Sequence, residues 1–130
     1  MTRLERQRII TERLASLTPE QYAITCNGVG PKMTLWLACL GTVSFVKWLR
    51  VPDRIQVLLR GAADLHDVGY ELGGTEVDKM HDDTWFLANG LDAVYAQDAG
   101  FLVRLYDRVW TYICYTLVRV CGGQFFNYRN

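Results

Sequence analysis

Apolar residues along this chain recur at three- and four-residue intervals, the period of an amphipathic α-helix, and nowhere alternate strictly enough for a strand. The spacing predicts a first helix from Arg3 to Leu17, with Leu4, Ile9, Ile10, Leu14 and Leu17 as its inward stripe. Thr18-Pro19-Glu20-Gln21 reads as a fresh start, with an N-cap, a proline in the first turn and a glutamine placed to close a capping box. The glycine-rich turn CNGVGP follows at residues 26–31. Val51-Pro52-Asp53 then opens a helix that reaches about Glu71 and stops at Gly73-Gly74. Thr75, with Asp78 three residues on, predicts the cap of a helix running to about Tyr95. A last helix is expected from near Asp98 to Val120, closed by Gly122-Gly123. The result is an all-α fold in one domain, 1–130, with an apolar segment at about 33–50 and the C-terminal helix at about 98–121.

The two central helices carry the chemistry. At about 100° per residue, Ile55, Leu59, Ala62, Ala63, Gly69 and Tyr70 all fall within about 60° of His66, which places a histidine in the middle of a packed stripe. Asp67 lies at the edge of that stripe. On the following helix Val77, Met80, Thr84, Leu87, Leu91 and Val94 form the expected inward face, with Asp83 bordering it and Asp82 pointing away. A buried imidazole requires a partner to offset its desolvation, and Asp83 on an antiparallel neighbour is the candidate. His66 would then act as general base on a water while Asp83 fixes its tautomer and orientation. Gly28-Val29-Gly30 permits backbone carbonyls to turn into a shared cavity. Together with the Asp67 carboxylate they make an oxygen-only ligand set suited to Ca²⁺, which takes roughly 6–8 oxygens.

Composition narrows the alternatives. Fourteen basic residues balance fourteen acidic ones, so there is no basic excess to form a nucleic-acid groove. The four cysteines, Cys26, Cys39, Cys114 and Cys121, show no metal-ligand spacing and read as buried thiols. The charged N-terminus, MTRLERQRIITERL, differs from a secretory leader and predicts a cytoplasmic or peripherally membrane-associated protein. Residues 33–46, MTLWLACLGTVSFV, carry no charge yet fall short of the roughly 20 residues that span a bilayer. They suit either a buried helix or partner-docking element, or an interfacial anchor with Trp36 and Trp48 at headgroup level.

The register Ala62-Ala63-Asp64-Leu65-His66-Asp67-Val68-Gly69-Tyr70 resembles the active-site helix of the phospholipase A2 superfamily, C-C-x-x-H-D-x-C-Y. CNGVGP resembles its calcium loop, and HDDTWFLAN places Asp83 in a D-x-x-F-L-x-N context like its second catalytic aspartate. That context, the Val51-Pro52-Asp53 entry and the tail GGQFF also resemble small phospholipase A2-like proteins of bacteria and phages, and the resemblance covers a core at 22–95 and the last helix loosely. The resemblance implies Ca²⁺-dependent hydrolysis of the sn-2 acyl ester of glycerophospholipids at a membrane surface. It implies His66 as base, Asp83 as its orienting carboxylate and Tyr70 as support for Asp83. The implied calcium ligands are Asp67 and the carbonyls of Cys26, Gly28 and Gly30, with a loop N–H, that of Gly28, assisting at the oxyanion.

The chain departs from the family at three points. Ala62, Ala63 and Gly69 replace the family's cysteines, so its disulfide framework is absent. The spacing from loop to histidine is long, and Pro31 follows Gly30. Two other readings remain. A metal-dependent phosphohydrolase would need a further histidine upstream of His66, and none exists. A catalytically inactive relative, serving membrane association or protein assembly, fits the apolar segment and the aromatic last helix, FLVRLYDRVWTYICYTLVRV. Either segment offers a surface for homo-oligomerisation.

Overall fold

A computed structural model of the chain describes residues 1–26 and 51–129. Over these residues the protein is all-helical: α1 (Arg3–Ser16), α2 (Pro19–Thr25), α3 (Asp53–Leu58), α4 (Arg60–Leu72), α5 (Glu76–Ala96) and α6 (Phe101–Cys121), then a short 3₁₀ turn, Gly122–Gln124. Three helices begin as local chemistry dictates. Thr2, Thr18 and Thr75 each accept an amide hydrogen bond three residues on, and Glu5, Gln21 and Asp78 return it, so that three capping boxes satisfy otherwise unpaired donors. Gly73, at φ 71°, ends α4 in backbone that a side chain would strain, and a Cβ there would collide with the carbonyl oxygen of Asn127.

The helix expected from Asp53 to Glu71 is kinked rather than continuous. Leu59, at φ −91° and ψ 4°, separates α3 from α4, although Leu59 N–H still bonds Ile55 O and Ala63 N–H still bonds Leu59 O. The kink leaves Leu59 fully buried, with its side chain against Gly90 of α5.

Helix α4 is the centre of the molecule, because it is covered on both flanks. On one side Ala62 and Ala63 join Ile55, Leu59, Phe86, Cys114 and Val118 in a cluster that unites α3, α5 and α6. On the other, Val68 packs with Ile10 of α1 and with Cys26. Small residues make these approaches possible: a Cβ on Gly69 would lie 2.7 Å from Asp82 Oδ2.

Several orientations differ from expectation. Asp82 does not point away: it is 3% exposed, because the Arg6 side chain of α1 closes over it. Arg6 of α1 meets it with Nε on Oδ1 (2.9 Å) and Nη2 on Oδ2 (2.7 Å), and also donates to Gly69 O and Gly73 O at the end of α4. Leu4, Val77 and Met80, expected inward, are exposed. Arg6 and Phe86 hold the inward positions instead, since α1 and α5 present faces to more than one neighbour. Helix α6 begins at Phe101 rather than near Asp98 and is buried at Asp107, Thr111, Cys114, Leu117, Val118 and Cys121 only. Its other side exposes Phe101, Leu102, Leu105, Tyr106, Val109 and Tyr112. No helix among the described residues is long and apolar enough to cross a membrane. The apolar segment 33–46 lies outside the described residues.

Candidate active site

Helices α4 and α5 run side by side and join through Gly73-Gly74, which carries residue 66 back to face residue 83. His66 Nε2 lies 2.8 Å from Asp83 Oδ1, with both side chains buried. An ionised carboxylate only accepts, so Nε2 carries the proton of this hydrogen bond. Tyr70, one turn after His66, donates its hydroxyl to the same Oδ1 (2.6 Å), and its ring stacks at a tilt on the imidazole with centroids 4.0 Å apart. Phe86 also lies against the imidazole, at 5.3 Å between centroids.

Burial alone would push the Asp83 carboxyl up. The hydrogen bonds and charge of His66, with further hydrogen bonds from Lys79 and Tyr70, more than offset burial and hold it down at about 2. Burial and the facing Asp83 charge push the Tyr70 phenol far above its ordinary value, so it remains a donor. Next to this cluster, burial raises the Asp82 carboxyl against the opposing pull of Arg6.

Asp67 is 5% exposed. Over it and Tyr70 opens a cleft of about 310 Å³, walled by Ile24, Thr25, Glu71, Phe125 and Asn127. The larger groove, about 470 Å³ along the exposed side of α6, contains none of the titratable cluster. Cys26 packs on α4 with its thiol 3.9 Å from the carbonyl oxygen of Asp64, and Thr25 donates to Glu71 (2.7 Å). The chain thus enters the glycine-rich turn from beside the Asp67 helix. Gly28 and Gly30 lie outside the described residues.

The sequence reading gave no role to Asp64. It is buried one turn before Asp67, accepts from Tyr22 Oη at 2.7 Å, and its Oδ1 has no hydrogen-bond partner among the described residues. Two buried carboxylates on the flank of α4 that meets the loop entry fit a hard cation held by oxygen. Asp67 and the Cys26 carbonyl would hold it together with the loop. His66, tied through Nε2 to Asp83, is not part of that donor set. Among the described residues no group of three His, Cys, Asp or Glu side chains converges as a metal centre.

No protein-family model matches this chain, and no curated protein or solved structure gives a significant match to it. The functional reading therefore rests on the geometry of the site.

Lys79 and Arg119 are the residues that sequence reasoning missed. Both donate to Asp83 Oδ2, at 2.8 and 2.7 Å. The i,i+4 spacing of Lys79 and Asp83 was the available signal, and on a helix it ordinarily marks a solvated surface pair.

Proposed function

We propose that the protein is a Ca²⁺-dependent phospholipase A2-type hydrolase acting on the sn-2 acyl ester of glycerophospholipids. One observation carries the reading: a buried imidazole oriented through Nε2 by a buried carboxylate, with a second buried carboxylate one residue on at the edge of a cleft. His66 takes a proton from water at Nδ1 as the water oxygen adds to the ester carbonyl carbon. Asp83, held ionised, retains the Nε2 proton and stabilises the imidazolium. Collapse breaks the acyl C–O bond. The lysophospholipid oxygen leaves with the proton from His66, and the other product is the free fatty acid. Tyr70 keeps Asp83 in place. Bound calcium, held by Asp67, the Cys26 carbonyl and the Gly28–Gly30 turn, would polarise the ester carbonyl.

The test is fatty-acid release from phospholipid vesicles at millimolar-order Ca²⁺. His66→Gln should lose roughly 10²–10⁴-fold in turnover while melting as a folded protein, the range for loss of a general base. Asp67→Asn, or chelation of the wild type, should abolish the calcium-dependent rate. Wild-type protein that releases no fatty acid or lysolipid would overturn the reading.

A second reading, a catalytically inactive phospholipase A2-like protein for membrane association or assembly, draws support from the exposed apolar side of α6. There Phe101 and Leu102 are each 76% exposed, and Arg108 is exposed farther along the helix, beside Leu105, Val109 and Tyr112. It predicts vesicle binding or self-association indifferent to calcium, measured by co-sedimentation and by sedimentation velocity.

A further inference from the structure

Asp83 has more partners than the orientation of one imidazole requires. Oδ1 accepts from His66 and Tyr70, and Oδ2 accepts from Lys79 Nζ at 2.8 Å and Arg119 Nη1 at 2.7 Å. Lys79 is 2% exposed, whereas Arg119 reaches the surface at 28%. A buried ammonium carries a large desolvation cost, and an apolar side chain of similar volume would fill the same space without it. Arg119 alone would neutralise the carboxylate.

What two cations add is geometry. Each has a second anchor: Lys79 Nζ donates to Val118 O (3.1 Å) at the carbonyl end of α6, and Arg119 Nη2 lies 3.7 Å from Glu76 at the start of α5. The Tyr70 hydroxyl also faces Val118 O, at 3.4 Å. An aspartate carboxylate turns easily about its terminal torsion, with two equivalent oxygens. Gripping Oδ2 from two directions fixes the plane and leaves Oδ1 to the imidazole.

We infer that Lys79 and Arg119 are positioning residues for His66: by pinning Oδ2 of Asp83 from α5 and from α6 they fix the plane in which Oδ1 meets the Nε2 proton. The kinetic consequence rests on the proposed hydrolysis; the pinning itself does not.

The test compares Lys79→Met, Arg119→Gln and the conservative Arg119→Lys in the full chain. Lys79→Met and Arg119→Gln should retain a cooperative melt and an unchanged KM on phospholipid vesicles with Ca²⁺. Their kcat should fall about 10- to 100-fold, the range seen when partners behind an oriented histidine at a metal site are removed. Arg119→Lys should recover most of the loss, because Arg119 meets Asp83 through one nitrogen only. Independently of turnover, the downfield proton resonance of His66 Nε2–H should be sharp in the wild type and in Arg119→Lys, and broadened or lost in the other two. His81→Gln serves to assign it. Wild-type kcat and an unchanged resonance in both Lys79→Met and Arg119→Gln would overturn the inference. If Lys79→Met does not fold, Arg119→Gln decides. If the wild type releases no fatty acid, the hydrolase reading fails and the resonance alone decides: its loss supports the pinning and its persistence overturns it.

Discussion

Tyr70 reaches Asp83 because of what is missing at Gly122. A Cβ at that position would collide with the Tyr70 hydroxyl, so the first residue of the 3₁₀ turn must be glycine for the phenol to sit between Asp83 and Val118. Gly122→Ala should cost roughly 1–3 kcal/mol, the usual range for overpacking a tight interior, and should move Tyr70 off the carboxylate. Denaturant melts together with turnover check this, and a variant as stable and active as the wild type would contradict it. The meeting of His66 with Asp83 was legible in the sequence because helical phase and one glycine turn suffice to bring positions 66 and 83 face to face. Lys79, Arg119 and Arg6 were not legible. A long basic side chain gives no periodic signal of burial, and the partners of Arg6 come from other helices, 63 to 76 residues away.

Whole helices are joined by buried charge as well as by apolar contact. Arg6 ties α1 to the end of α4 and to α5 through four hydrogen bonds, two to Asp82 and one each to Gly69 O and Gly73 O. Arg6→Met should therefore destabilise the protein by about 3–5 kcal/mol, since it strands a buried carboxylate. Pairing it with Asp82→Leu should restore much of that loss, which a double-mutant denaturation cycle measures. The inward face of α5 was misassigned at Val77 and Met80 for the same reason. A single hydrophobic stripe describes a helix with one neighbour, whereas α5 meets α1, α4 and α6. The acid limb of stability follows from Asp83. Its folded-state value, about 2, lies below the ordinary 3.8, so its contribution is complete above about pH 4 and is lost as pH falls towards 2. That contribution is on the order of 2 kcal/mol. Melts across this window should show it in the wild type and not in Asp83→Asn.

At the scale of the whole molecule, one central helix is covered on two flanks, and the chain end straps across its C-terminal end. Asn127 N–H bonds Tyr70 O, Gly74 N–H bonds Asn127 O and Arg129 N–H bonds Gly74 O, while Phe126 packs edge-on against Tyr70. The all-α class and the capped helix starts were readable from local chemistry. This closing strap was not, because backbone pairing between residues far apart in sequence leaves no periodic trace.

The thiols lead to a consequence for handling. Cys26, Cys114 and Cys121 are buried and unbridged, and burial pushes the Cys114 thiol up to about 12, so the nucleophilic thiolate is scarcely populated there. Close approach of the helices comes from small residues instead: Ala62 and Ala63 lie in the apolar cluster, and Gly69 lets Asp82 come against α4. Dithiothreitol should accordingly leave the melting temperature unchanged, and alkylating reagents should label these three positions only after the chain unfolds.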